Sequence, residues 1–194
     1  MYIYNIKKMF MEEIQNPMGK FLDPVAIIAQ LNIETGSVAV DFGCGPGYFS
    51  IPFAKAVGEN GFVHSLDILP QSLETVIGKA KNSGVTNISA KRVNLEKENG
   101  SKLQAEIADW VIMKDILFQN QNKGIIVKEA YRILKKGGKV ILVEWNNAKS
   151  AVGPVQEMRF DQVSAEKMFN GSGFIVEKNI EAGHFHYAFV AVKQ

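Results

Sequence analysis

The stretch Val38-Ala39-Val40-Asp41-Phe42-Gly43-Cys44-Gly45-Pro46-Gly47-Tyr48-Phe49-Ser50 limits what this chain can fold into more than any other. An apolar run reads as a buried strand, three glycines follow at alternate positions, and a helical pattern opens at once from Tyr48. Glycine reaches backbone conformations closed to other residues and lets a ligand approach the main chain closely. A helix start adds unpaired N–H groups and about half a positive charge. Such a turn can cradle a carboxylate or a phosphate, so the loop alone does not choose its ligand.

The rest of the chain extends this unit. Strand candidates fall at Ser37–Phe42, Phe62–Asp67, Ile88–Val93, Ala108–Met113 and Lys139–Glu144, with helix candidates between them at Tyr48–Val57, Gln71–Ser83 and Gly124–Leu134. Strands alternating with helices and buried on both faces predict a parallel sheet in a layered α/β fold. The link from Asn94 to Ala108 is poor in helix signal. Near the C-terminus the alternation stops: Ser164–Asn170 reads as a short helix capped by Ser164, followed by strands at Phe174–Ile180 and Phe185–Val192. Only Glu181-Ala182-Gly183-His184 joins those two strands, too little for a parallel crossover. The expected architecture is a mostly parallel sheet with one antiparallel strand from the C-terminus, in a single domain over residues 1–194.

Two details narrow the ligand. A dinucleotide loop, G-x-G-x-x-G, needs a third glycine where this chain has Tyr48. Asp41 precedes the first glycine by two residues, and a carboxylate there repels a diphosphate. A zwitterionic amino-acid tail beside a sulfonium tolerates it, because an ammonium needs acceptors.

Asp41-Phe-Gly43-Cys-Gly45-Pro-Gly47 resembles the first motif of the class I S-adenosylmethionine-dependent methyltransferases. The resemblance runs from about Pro24 through the C-terminal hairpin and is nearest to the ubiquinone- and menaquinone-biosynthesis type. It implies a Rossmann-like, seven-stranded, mostly parallel sheet with an antiparallel C-terminal strand and helices on both faces. Leu134-Lys135-Lys136-Gly137-Gly138 is similar to the family's L-K-P-G-G turn, with Lys136 in place of proline. The resemblance implies S-adenosyl-L-methionine as cofactor and gives each matching position a role. Gly43, Cys44, Gly45 and Gly47 hold the methionyl part, Cys44 through its backbone, and Asp41 organises the turn from beneath. Asp67, twenty residues beyond Gly47, takes the ribose hydroxyls, and Ile68 packs on the adenine. Asn94 replaces the aspartate often found against the adenine amino group; its oxygen accepts the same bond and its NH2 donates to a ring nitrogen. Leu95 closes the adenine pocket, and Lys114 offers its backbone carbonyl to the methionyl ammonium.

Methyl transfer asks mainly for alignment of nucleophile, methyl carbon and sulfur with water excluded, and needs a base only if the nucleophile carries a proton. Ligands of such sheets collect at the carboxyl ends of the parallel strands. Asp115 follows the fourth strand, Glu144 closes the fifth, and the last strand begins at that edge with His184 and His186. Glu144 with His186, or Asp115, is expected to orient or deprotonate the acceptor. His184-x-His186 lacks a third ligand in view, so no metal site is expected. Arg159 is a candidate for an anionic substrate group, with an ordinary surface arginine as the plainer reading. Residues 1–23, rich in Tyr, Met and Phe, read as a lid over the cofactor, a cap on the sheet or a dimer contact.

Composition then removes partners. The chain of 194 residues has 22 Lys plus Arg against 20 Asp plus Glu, a net charge of +2, without the basic footprint of a dedicated nucleic-acid binder. Lys114-Asp115-Ile116-Leu117-Phe118 lacks the N/D-P-P-Y/F signature of many exocyclic-amine nucleic-acid methyltransferases, and Phe118 stands where many relatives carry histidine. Cys44 is the single cysteine, too few thiols for arsenite chemistry and without a disulfide partner, so a reducing cytosol is the natural compartment. No apolar run approaches the ~20 residues of a membrane span, and Met1–Ile14 has no clean signal-peptide core. The expectation is a cytoplasmic methyltransferase for a small-molecule acceptor. Methylation of RNA or protein, and a non-catalytic S-adenosylmethionine-binding protein, are the alternatives. The oligomeric state stays open, a homodimer included.

Overall fold

The computed structural model describes residues 21–194. The lid, cap or dimer expectation for the N-terminal segment therefore falls almost wholly outside the described residues. The elements are α1 (Pro24–Ile28), β1 (Val38–Phe42), α2 (Ser50–Ala56), β2 (Phe62–Asp67), α3 (Pro70–Asn82) and β3 (Ile88–Arg92). After these come β4 (Ala108–Lys114), α4 (Lys123–Ile133), β5 (Leu134–Trp145), α5 (Gln162–Gly171), β6 (Phe174–Ile180) and β7 (His186–Lys193). Their order in the sheet is β3-β2-β1-β4-β5-β7-β6. β1 lies between β2 and β4, parallel to both, so the chain reverses its direction of travel across the sheet there. β7 runs antiparallel to β5 and to β6, which makes it the single reversed strand. Among the described residues, no helix is long and apolar enough to cross a membrane.

Period-two burial in the central strands feeds two cores. Val40 and Phe42 of β1, Val111 and Met113 of β4 and Leu142 of β5 face α4 and α5, which bring Ile126, Val127, Ala130, Ile133, Ala165 and Phe169. Ala39, Ile112, Ile141 and Val143 face the other way, toward Phe53 and Ala54 of α2 and Ile27 and Ile28 of α1. Phe42, Phe53, Phe169 and Phe189 are completely buried; truncating a phenylalanine so placed costs about 3–5 kcal/mol. The sheet beneath the site is thus clamped from both sides.

Most element ends fall within two residues of the sequence expectation, and three elements correct it. α5 is capped by Asp161, whose carboxylate accepts from the Ser164 N–H at 2.9 Å, so Ser164 lies inside the helix. β5 begins at Leu134, which pairs with Ala108 before the lysine-glycine turn bulges out and the ladder resumes at Trp110 and Lys139. α1 has no counterpart among the expected elements, although Asp23 caps it by accepting from the Val25 N–H and Pro24 sits in its first turn.

The poorly helical link from β3 to β4 is held by a buried carboxylate. Glu129 of α4 accepts from the Ser101 N–H and hydroxyl and from Arg132. Burial opposes its charge, yet the Arg132 and Ser101 hydrogen bonds hold its carboxyl below the usual range.

Candidate functional site

Strand ends on either side of the β1/β4 reversal open into a cleft, as expected of an open α/β sheet. It encloses about 320 Å³ and is lined by Gly43, Gly45, Asp67, Ile68, Leu69, Ser72, Val93, Asn94, Leu95, Glu96, Ile116, Gln119 and Asn120. This is within the size range of small-molecule sites.

The glycines serve different ends. Gly43 (φ +66°) passes so close to Ile116 that a Cβ there would lie 2.9 Å from Ile116 Cδ1. Gly45 (φ +49°) has nothing within 4 Å of that position, so a side chain there would enter open space at the cleft wall. Gly47 (φ +79°) packs against Val76 of α3, away from the cleft lining. The loop's N–H groups are largely committed: Cys44 N–H to the Leu66 carbonyl at 3.0 Å, Gly45 N–H to Asp67 Oδ2 at 2.8 Å, and Gly47 N–H to the Cys44 carbonyl at 3.0 Å. α2 starts only at Ser50, after a turn, and has seven residues. The loop therefore offers no bare cradle of donors for a diphosphate.

Asp67 joins the two loops of the cleft. Its Oδ2 accepts from Gly45 and its Oδ1 from the Leu69 N–H at 2.8 Å, which leaves a further lone pair on each oxygen for a ligand. Asn94 Oδ1 accepts from the Glu96 N–H at 3.0 Å and keeps a second lone pair, and its amide NH2 is a further group it can offer. Ile68 and Leu69 are half exposed, and Leu95 and Ile116 are buried. Together these four side chains make apolar walls beside Asp67 and Asn94.

The other residues assigned to the cofactor are not part of this lining. Asp41 is buried, and its Oδ2 accepts from the Ser50 hydroxyl at 2.6 Å, which in turn accepts from Ser65 at 2.8 Å. Burial pushes the Asp41 carboxyl up to about 7, against the pull of the Ser50 bond. Cys44 packs with Leu73 and Val76, and burial pushes its thiol well up, so it is inert. Lys114 pairs its ammonium with Asp115.

Beyond Ile116 lies a second group. Asp115 adopts φ +52°, a left-handed conformation uncommon for a non-glycine residue. Its Oδ1 lies 3.4 Å from His186 Nε2, close enough for an ion pair but without hydrogen-bond alignment. Glu144 is fully buried, and its Oε1 accepts from the Leu117 N–H at 2.5 Å. Burial, with the Asp115 charge adding to it, pushes the Glu144 carboxyl up to about 8. Four buried polar atoms are unpartnered among the described residues: Asp115 Oδ1, Glu144 Oε2, His186 Nδ1 and His186 Nε2. Buried polar groups are nearly always paired, so such a cluster calls for a ligand or water. Of the three residues singled out in the sequence for acceptor chemistry, Asp115 meets His186 and lies near Glu144, but Glu144 pairs with Tyr187 and Trp145 with His186 in the ladder, so Glu144 and His186 project from opposite faces of the sheet. His184 is exposed and gives only its carbonyl, to Asn146.

Leu69, Ser72, Val93, Glu96, Ile116, Gln119 and Asn120 also line the cleft and had no expected role from the sequence. Ile116 could have been found, because the close approach of a chain to Gly43 needs a neighbour from the adjacent strand end. Arg159 is neither a surface arginine nor open to an anion: it is buried with main-chain partners.

A family model described as a methyltransferase domain matches residues 33–189. The chain belongs to that family. Among curated relatives, demethylmenaquinone methyltransferase of Bacillus mycoides (strain KBAB4) is 34% identical over 116 residues, covering 59% of this chain and 47% of the relative. The same enzyme of Oceanobacillus iheyensis is 31% identical over 117 residues, covering 59% of this chain and 47% of the relative. The chain thus spans about half the length of the curated relatives it matches. An S-adenosylmethionine-dependent methyltransferase structure from Aquifex aeolicus superposes with a TM-score of 0.82 at 19% identity, over 90% of this chain and 91% of that one. The [4+2]-cyclase SpnF superposes at 0.72 with 12% identity, over 88% and 80%. These two establish the fold of this methyltransferase-domain chain, and the cyclase illustrates that fold alone does not fix chemistry.

Proposed function

We propose that this chain binds S-adenosylmethionine in the cleft and transfers its methyl group to a small-molecule acceptor at the Asp115, Glu144 and His186 cluster. One observation carries the reading: the consecutive residues Asp115, Ile116 and Leu117 belong to both sites. Ile116 lines the cleft, Asp115 faces His186, and the Leu117 N–H holds Glu144. A cofactor and an acceptor placed on either side of Ile116 are then neighbours.

The residues present suit the cofactor. Asp67 has lone pairs for both ribose hydroxyls, the Asn94 NH2 can donate to an adenine ring nitrogen, and Ile68, Leu69, Leu95 and Ile116 flank a flat base. Gly43 and Gly45 keep side chains out of the space beside them. The committed loop amides speak against a diphosphate ligand. The cofactor supplies a methyl group on a positively charged sulfur. Asp115, with His186, holds the proton that an acceptor hydroxyl gives up. Glu144, protonated below about pH 8, donates from Oε2 to an acceptor oxygen. The burial of Glu144 and His186 keeps water from both. The names of the curated relatives favour an aromatic acceptor of the demethylmenaquinone class.

A hollow lined by Arg92, Lys97 and Lys102, with Glu98 among them, favours an RNA acceptor instead, but it adjoins the cleft at Ile68, Val93 and Asn94, on the Asp67 side. The test is transfer of labelled methyl from S-adenosylmethionine to a panel of hydroxyaromatic small molecules, total RNA and protein. Small-molecule labelling that falls at least tenfold in Asp115→Asn and His186→Gln supports the reading. Label appearing only in RNA or protein overturns it.

A further inference from the structure

Between β5 and α5 the chain makes a loop that contributes nothing to the cleft, yet it ends on a buried arginine. Arg159 is 9% exposed. Its Nη1 donates to the carbonyls of Asn146 (2.8 Å) and Ala148 (2.7 Å), its Nη2 to that of Val152 (3.0 Å) and its Nε to that of Pro154 (3.0 Å). Four of the guanidinium's five N–H donors are thus spent on main-chain acceptors, and little remains for a substrate anion. One planar fork gathers the whole of residues 146–154.

The same guanidinium lies over the Trp145 ring, 5.8 Å from its centroid. Trp145 in turn lies 4.2 Å, centroid to centroid, from the His186 imidazole. Gly153 (φ +84°) is pressed so close to the indole that a Cβ there would come within 2.6 Å of its ring carbons. Asn146 fastens the loop to the chain leading into β7, taking the Phe185 carbonyl on its N–H at 2.9 Å and the His184 carbonyl on its Nδ2 at 2.7 Å. His186 has no hydrogen bond of its own to orient it among the described residues. What fixes its ring is packing, and the packing leads to Arg159.

We infer that Arg159 is a positioning residue: through the loop it gathers and through Trp145, it sets the orientation of the His186 imidazole toward Asp115. The inference rests on the reading of His186 as an acceptor-side residue, and its test is independent of activity. Lysine cannot replace arginine here, because an ammonium lacks the planar fork that reaches four carbonyls at once.

The experiment is nitrogen-15 NMR of the full chain labelled at histidine, which gives only three imidazoles, His64, His184 and His186. His186→Gln identifies the His186 signals. In the unmodified protein His186 shows one sharp set of ring-nitrogen signals. In Arg159→Lys and in Trp145→Leu that set doubles or broadens, while the His64 signals, the circular dichroism and the affinity for S-adenosylhomocysteine stay unchanged. His186 signals in Arg159→Lys identical to those of the unmodified protein would overturn the inference, and so would two ring states in the unmodified protein itself. If Arg159→Lys does not fold, Gly153→Ala takes its place, since it drives a methyl group against the Trp145 ring from the loop that Arg159 gathers, and unchanged His186 signals in it, or in Trp145→Leu, overturn the inference. Failure of S-adenosylhomocysteine to bind the unmodified chain would strike the proposed function and leave the NMR result readable.

Discussion

The Gly45 N–H donates to Asp67 Oδ2 at 2.8 Å, joining the loop after β1 to the end of β2 across the mouth of the cleft. Asp67 thereby holds the shape of the pocket before it meets a ligand. Its other oxygen is fixed by Leu69, so both are pointed by main chain rather than by flexible side chains. Sites held in this way lose little entropy on binding.

Asp67→Asn separates these duties. The amide oxygen still accepts one N–H, but the NH2 faces a donor and the negative charge is gone. Stability should fall by about 1–2 kcal/mol and affinity for S-adenosylhomocysteine by about tenfold. Urea unfolding and calorimetry measure the two. Unchanged affinity would remove Asp67 from the ligand site.

Gly43→Ala and Gly45→Ala make a matched pair. Both force alanine into a left-handed backbone, at about 1–2 kcal/mol. Only Gly43→Ala also drives a methyl group to 2.9 Å from Ile116. Gly43→Ala should therefore be the less stable of the two in urea. Gly45→Ala should keep most of its stability and still bind S-adenosylhomocysteine more weakly, because its methyl enters the cleft. Equal stabilities would contradict the close approach of Ile116.

Glu144 makes stability depend on pH with a definite sign. Its ordinary value is 4.5 and the fold raises it to about 8, so the native state binds a proton that the unfolded chain releases. The favourable contribution is complete below about pH 4.5 and is lost as pH rises through about 8, at no more than ~1.4 kcal/mol per pH unit. Asp41, raised from 3.8 to about 7, adds a slope of the same sign at a lower pH. Glu144→Gln should flatten the decline between about pH 5 and 9. An equal decline in the variant, by urea unfolding at both ends, would show that Glu144 is not held protonated.

Much of the fold was legible because it is written locally. The strand β2 has the expected bounds, Phe62–Asp67, and so has β6, Phe174–Ile180, because each is a short run closed by turn residues. The short link before β7, expected as four residues and found as five, 181–185, sufficed to reverse it. Elements whose limits depend on partners were not legible. Leu134 joins β5 only because Ala108 lies beside it, and Asp161 displaces Ser164 as the cap only once the chain's approach to α5 is known. The site divides in the same way. Gly43, Gly45, Asp67 and Asn94 sit at strand ends and announce themselves. Gln119, Asn120 and Ser72 are ordinary polar residues that a loop's path brings to the cleft. Arg159 was misread because its partners are carbonyls, which every residue has.

We read the cleft beside Asp67 as a site for S-adenosylmethionine and not for a dinucleotide. Titration calorimetry of the full chain with S-adenosylhomocysteine, and separately with NAD, tests it most directly. Saturable one-to-one binding of S-adenosylhomocysteine is expected, weakened at least tenfold in Asp67→Ala, with no saturable heat from NAD. Tighter binding of NAD, or no heat with S-adenosylhomocysteine, would contradict it.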